Sequence, residues 1–419
     1  MPVYSNSDID NNDSKNKITM KRTVICEYVG IGHPDKVADQ ISDALLDAFL
    51  EKDPNTRAGI EVMVKDNVVV LGGEVKSTAQ IDYDHIVRMT MDNVGYPDDH
   101  HLSGDDVKVI NLIGKQSPEI SRSVDQDDGI IGAGDQGFCV GFASNETEDL
   151  MPLGAYLARK LCQCAEGMHH TFGPDIKSQV VVTYDEEGRG HVDSILVSTM
   201  HQCSLEECRK TIRDYIANNG MDIDMHLFQQ HIIDDRPEIT INPAGEWHIG
   251  GSISDCGMTN RKIVVDQYGG YAPVGGGGLS GKDMSKVDRS GTYMCRYLAK
   301  NIVAAGLADT AKVELAYIIG QPQPCAINIE LNHFGKSEDK LSNSNPNLAD
   351  DLTAWIRKHI DLSPKGIIER FDGLRPRFYE VTRQGHFGHS DNEAEKNFQV
   401  FPWEETDLAD VLKTAEFSE

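Results

Sequence analysis

Positive charge is scarce in this sequence. Forty Lys and Arg stand against 67 Asp and Glu, a formal net charge of −27 over 419 residues. So acidic a chain does not hold nucleic acid on a general basic surface; its charge serves solubility first. Cysteine motifs are missing too. The nine cysteines are scattered without one Cys-x-x-Cys pair, and Cys162-x-Cys164 alone is a weak metal signal. Odd in number and set mostly in apolar runs (Cys26, Cys139, Cys295, Cys325), they argue against a disulfide scaffold and point to reduced, buried thiols in a cytoplasmic protein. No apolar run approaches the ~18 residues of a membrane helix, so no membrane partner is expected. Residues 1–18 are rich in Asn, Asp and Ser without an apolar core; they read as a disordered tail rather than a signal peptide.

What is present is one pattern used three times: strand, helix, hairpin, helix, strand. In the first copy Thr23–Val29 is apolar and β-branched, and Pro34 opens a helix with Val37, Ile41 and Leu45 on one face. The hairpin Ile60–Val64 and Val68–Leu71 turns at Asp66-Asn67; a helix from Thr78 and the strand Val107–Ile113 follow. The second copy reads Phe138–Phe142, a helix opened by Pro152, the hairpin Val180–Tyr184 and Val192–Val197, a helix with the capping box Ser204-x-x-Glu207, and Glu238–Ile241. The third reads Ile263–Asp266, a helix Val287–Ala305, the hairpin Val313–Ile318 and Ala326–Ile329, a helix Leu352–Ile360 and a strand Phe378–Val381. The fold class is therefore α+β, three similar βαββαβ-type domains over 19–122, 123–236 and 237–419, rather than one doubly wound sheet.

Several motifs carry chemistry. Gly276, Gly281 and Lys282 satisfy most of a phosphate-loop pattern, with Asp283 where a Ser or Thr should reach magnesium. Between Asp255 and Lys300 the charge balance reverses, with seven basic residues against four acidic ones. In Gly32-His33-Pro34-Asp35-Lys36, Pro34 fits the first helical position, so His33 is the N-cap and Asp35 lies in the first turn. A helix N-terminus attracts anions and Asp35 could hold a divalent cation, although an acid in the first turn is ordinary dipole complementarity. Gly132-Ala133-Gly134-Asp135-Gln136-Gly137 enters a strand rather than a helix, so it is no dinucleotide fingerprint. Asp175-x-Lys177, Gly72-Gly73-Glu74, Asp255 and the pair Arg261-Lys262 are unremarkable singly.

Together these segments resemble the S-adenosylmethionine synthetases. The resemblance rests on residues 32–43 and 280–290, with Gly-Lys-Gln-Ser-Pro at 114–118, residues 132–137 and Gly-His-Phe-Gly at 385–388, and runs from Thr23 to the Phe401-Pro402-Trp403 segment. It implies three domains about a pseudo-threefold axis and a homodimer, or dimer of dimers, with active sites between subunits. It also implies the joining of ATP and L-methionine with magnesium, two ions per site, and potassium. His33, Lys177, Arg261, Lys262 and Lys282 would then serve the triphosphate, Asp35 and Asp288 magnesium, and Glu61 potassium. Glu74 and Gln116 would hold the methionine amino and carboxylate groups with Lys286 nearby, and Ile319 would line its side-chain pocket. Asp255 would lie between nucleotide and amino acid, Asp135 and Asp175 would join the nucleotide contacts, Gly278 would permit close approach, and Trp247 stands at an adenine-stacking Phe position. The chain departs from the pattern at Ile31 (usually Glu), Glu246-Trp247 (Arg-Phe), Asn260 (Gly) and Val274 (His). A catalytically weak regulatory or binding paralogue, which Glu246 would favour, and a phosphotransferase using the glycine run are the alternatives. The stretch Ser117–Ile131 reads as a lid over the site.

Overall fold

The computed structural model describes residues 22–115, 131–168, 171–185, 188–218, 237–333, 345–373, 377–389, 401–415 and 417. The expected tail and all of the expected lid except Ile131 lie outside them.

The chain is a mixed α+β structure, with three sheets among the described residues. Its strands are β1 (Arg22–Val29), β2 (Arg57–Lys65), β3 (Val68–Lys76), β4 (Lys108–Asn111), β5 (Gly114–Lys115) and β6 (Gly137–Ser144). Then follow β7 (Phe172–Tyr184), β8 (Gly190–His201), β9 (Glu238–Ile241), β10 (Gly257–Met258), β11 (Thr310–Tyr317) and β12 (Ala326–Asn332). The three hairpins stand where the alternation of apolar residues places them, and β4 and β9 close the first two units in parallel with β3 and β8.

The leading strands do not stay at home. β1 pairs antiparallel with β7 of the second unit, β6 with β11 of the third, and β10 with β2 of the first. Each unit lends its first strand to the next unit's hairpin, and the exchange closes in a circle of three. Period-two patterning identifies a strand but carries no information on which hairpin it joins.

The helix α1 (Pro34–Lys52) begins as the sequence implies: His33 has extended backbone and its Nδ1 accepts the Asp35 N–H at 3.1 Å. Further helices used below are α2 (Tyr83–Val94), α3 (Leu153–Gly167), α4 (Leu205–Asn218) and α5 (Val287–Ala304). The first halves of α1 and α5 are buried on nearly every side, polar residues included, so those polar groups must find partners from other units.

Four expectations are corrected. Ile263–Asp266 is a run of turns, and the third leading strand is the two-residue β10 instead. Phe378–Val381 lies in the helix Phe378–Gln384, because the Asp47 carboxylate accepts the N–H groups of Arg377, Phe378 and Tyr379 at 2.9, 3.0 and 2.9 Å. That cap, delivered from α1, satisfies orphan donors that β-propensity alone would have sent to a sheet. α2 starts at Tyr83 rather than Thr78, since Asp53 takes the Thr78 N–H at 2.7 Å and Asp82 caps the helix. Cys325 is exposed, whereas Cys26, Cys139 and Cys295 are buried; the eight described cysteines are free.

Deep in the molecule Arg289 meets Asp43, both fully buried, through bonds of 2.7 and 2.6 Å. Asp43 also accepts the Gly281 N–H at 2.8 Å and the Thr382 hydroxyl, and the Phe378 ring lies 4.1 Å from the guanidinium. Removing one partner strands a charge in the core. Arg289→Met is expected to destabilise the protein by about 3–5 kcal/mol, read as a lower urea midpoint. A shift no larger than that of a surface lysine substitution would remove Arg289 from this role.

Candidate active site

At the N-terminus of α1 the residues 258–262 fold back across the first turn. Asp35, completely buried, accepts the Met258 N–H at 2.9 Å; Arg261 Nε lies 3.3 Å away and Lys262 Nζ is bonded to the other oxygen. Burial alone would raise the Asp35 carboxyl, but Lys262 and the Met258 amide outweigh it and its pKa falls. His33 is lowered to about 3 by burial, reinforced by Lys262 and Lys177. It is a neutral imidazole, and because Nδ1 accepts the Asp35 N–H the proton sits on Nε2, where it can be donated to an anion.

Lys177 and Asp175 reach the same region from β7, with Asp255 opposite; Lys177 and Asp255 are exposed. Asp175 is buried and its Oδ2 accepts the Gly251 N–H at 2.8 Å, while Oδ1 has no partner among the described residues. Burial raises its pKa to about 6.

The glycine run arrives from the other side. Lys282 bridges to Gly59 of β2 by its backbone and pairs through Nζ with Asp288 at 2.7 Å. Gly281 needs φ +78° to turn here. A Cβ on Gly277 would lie 2.0 Å from the Asp288 carboxylate, and one on Gly278 2.1 Å from Asn260. The close approach that these glycines permit is therefore to the protein's own side chains. Asn260 accepts the Ser280 N–H at 3.0 Å and donates to the Ser280 carbonyl at 3.1 Å, joining the two halves of the site. Its φ is +60°, which Asn tolerates better than most residues. Nothing in the sequence signalled this tie.

The positive cluster of the sequence divides in space. Arg289, Arg296 and Lys300 are buried and neutralised, the last two by Glu404 at 2.9 and 2.7 Å. Arg261, Lys262, Lys282 and Lys286 keep partial exposure. Asp283, which breaks the phosphate-loop pattern, is buried, accepts the Ala58 N–H at 2.7 Å and holds Lys286 at 2.8 Å.

Other candidates lie elsewhere on the chain. Glu61 and Glu74 are exposed on the sheet containing β2 and β3, and Glu61 accepts a bond from Thr259. Asp135 and Ile319 are exposed in two loops tied by Gly320 N–H to Ala133 O at 2.8 Å. Trp247 is half-buried, its indole N–H donating to the Ile249 carbonyl at 2.9 Å. Gln116 lies outside the described residues. At Ile31, where the resemblance expects Glu, the Glu166 carboxylate of α3 accepts the Ile31 N–H at 2.9 Å.

The arrangement offers cations, a neutral N–H donor and carboxylates around an open surface. It suits a polyanion held with hard metal ions.

Comparison with known proteins agrees along most of the chain. The N-terminal, central and C-terminal domains of S-adenosylmethionine synthetase match residues 21–118, 130–247 and 249–404. An S-adenosylmethionine synthase of Wolinella succinogenes is 41% identical over 397 residues, covering 92% of this chain and 96% of that protein. The solved structure of an unusual S-adenosylmethionine synthetase from Campylobacter jejuni superposes with a TM-score of 0.78 at 34% identity, over 93% of this chain and 98% of that one. The chain belongs to the S-adenosylmethionine synthetase family of enzymes.

Proposed function

We propose that the protein makes S-adenosylmethionine from ATP and L-methionine. The observation that carries this is the cluster at the start of α1, where a buried carboxylate, a neutral imidazole and two cations meet. The methionine thioether attacks the ribose C5′, a carbon–sulfur bond forms, and the C5′–oxygen bond breaks with its electrons leaving on the triphosphate. Sulfur starts neutral and ends as a sulfonium, so no base is required. The barrier then depends on orientation and on neutralising the departing oxygen. His33 would donate from Nε2 to the triphosphate, and Lys177, Arg261, Lys262 and Lys282 would balance its charge. Water would then cleave the tripolyphosphate to phosphate and pyrophosphate in the same cluster.

Carboxylate oxygens are the donors hard cations take. Asp288, partly exposed with Lys282 on one oxygen, fits a magnesium ion readily. Asp35, already engaged by Lys262 and Arg261, fits one if Lys262 turns toward phosphate. Bound magnesium would neutralise phosphate charge, and Glu61 would hold potassium. The unpartnered Asp175 oxygen would accept a hydrogen bond from the nucleoside, Trp247 would stack on adenine, and Asp135, Asp255 and Gly278 would complete the nucleotide contacts. Glu74, Gln116, Lys286 and Ile319 would surround methionine.

A homodimer is part of this reading. Met258, Met63, Val70 and Ile110 form one row across the sheet. Met258, Met63 and Ile110 are 43%, 36% and 47% exposed. Glu61 and Glu74 share that face by alternation, so a second copy seated on it would complete their site.

Incubation with ATP and methionine should yield sulfonium product and pyrophosphate. Nucleotide binding without product would mean a weak paralogue, and phosphoryl transfer without a sulfonium would mean a phosphotransferase. Lys282→Ala should lower kcat about 10²–10³-fold while the thermal midpoint barely moves; equal losses in both would make Lys282 structural. With Asp175 at about 6, kcat/KM for ATP should fall as pH drops through that value. Asp175→Asn should lack the limb, and a profile identical to wild type would assign it to another group. Trp247→Ala should cost about 1–3 kcal/mol of nucleobase stacking, read as a raised KM for ATP; an unchanged constant would place the base elsewhere.

A further inference from the structure

His201, Glu246 and His248 converge where β8 ends against residues 246–248. Glu246 Oε2 lies 3.5 Å from His201 Nε2 and 3.2 Å from His248 Nε2, and the three atoms all lie within 4.8 Å of one another. The other ring nitrogens are committed. His201 Nδ1 is 2.8 Å from the Cys203 carbonyl, and His248 Nδ1 is 2.8 Å from the His201 carbonyl. A carbonyl only accepts, so both Nδ1 atoms carry protons and each ring turns its Nε2 toward Glu246. Glu246 Oε1 faces the Leu205 N–H at 3.4 Å, which leaves Oε2 aimed at the two rings. The Trp247 N–H donates to His201 Nε2 at 3.2 Å, a long hydrogen bond that an ion on that nitrogen would replace.

Three ligand atoms thus converge, and one cation can be shared among them. Histidines with Nδ1–H on backbone carbonyls are the usual form of metal-ligating imidazoles. Two donors bound at about 2.0–2.1 Å with tetrahedral geometry stand about 3.3 Å apart, and the two distances to Glu246 bracket that figure. His201 is buried, whereas Glu246 and His248 are half exposed (52% and 56%), so a fourth corner would face solvent. We infer that His201, Glu246 and His248 form a binding site for one divalent transition-metal ion, with Zn²⁺ the best match. Imidazole nitrogens disfavour Mg²⁺ and K⁺, which take oxygen donors. The ion would clamp the end of β8 to the segment that carries Trp247, whose backbone already pairs with His201 at 2.9 Å.

The test uses the full chain, stripped with EDTA and dialysed. Titration with ZnCl₂ alone, followed calorimetrically, should show one ion per chain, unaffected by excess Mg²⁺. Co²⁺ should give the visible absorption of a four-coordinate nitrogen–oxygen site and lose it to zinc. His248→Ala and Glu246→Gln, both at half-exposed positions, should each weaken zinc at least about tenfold with unchanged circular dichroism. Failure to bind zinc, wild-type zinc affinity in both variants, or a cobalt–thiolate band from one of the free cysteines would each overturn the site. So would a His248 resonance that responds to pH but not to zinc, which would leave only a proton there.

Discussion

The buried pair of Asp43 and Arg289 is the constraint on which the rest depends. Two ions without solvent are tolerated only when their remaining hydrogen-bonding capacity is filled. Here the filling groups are structural: the Gly281 amide, the Thr382 hydroxyl and the Lys282 carbonyl, which accepts from Arg289 at 3.0 Å. The glycine loop, α1, α5 and the C-terminal helix Phe378–Gln384 are thereby fixed to one point. Lys282 and Asp288 inherit their positions from it.

The exchange of leading strands explains why the candidate site lies at a seam. Residues 257–262 belong by sequence to the third unit, yet β10 joins the first unit's hairpin. This lays Met258, Arg261 and Lys262 over the N-terminus of α1. The Asn260 bridge to Ser280 then brings the glycine loop alongside. A two-residue strand has little stability of its own; buried carboxylates make up the difference, Asp35 holding Met258 and Asp39 the Asn260 amide at 2.8 Å.

Charge is distributed by the same logic. In this acidic protein three of the accessible cations rest on carboxylates: Lys262 on Asp35, Lys282 on Asp288, Lys286 on Asp283. Such pairs hold a lysine in place without a ligand and release it toward a stronger anion. The Glu246 substitution fits this economy, since its carboxylate turns to two histidines rather than standing free beside Trp247.

Much of this was legible in the sequence. Hairpins follow from alternation, the start of α1 from His33 and Pro34, and the family from motifs whose order is kept. The sequence by itself thus determined the three hairpins and the start of α1, and it marked the charged and glycine-rich segments that gather at the candidate site. Tertiary structure alone decided which strand joins which hairpin, that Phe378–Val381 becomes helical under Asp47, and that Arg289 is a core ion while Lys282 remains accessible. The reason is range. Side-chain periodicity and caps act within a few residues. The partner of an exchanged strand, and the neutralisation of a core charge, depend on groups far along the chain; Asp43 and Arg289 are 246 positions apart.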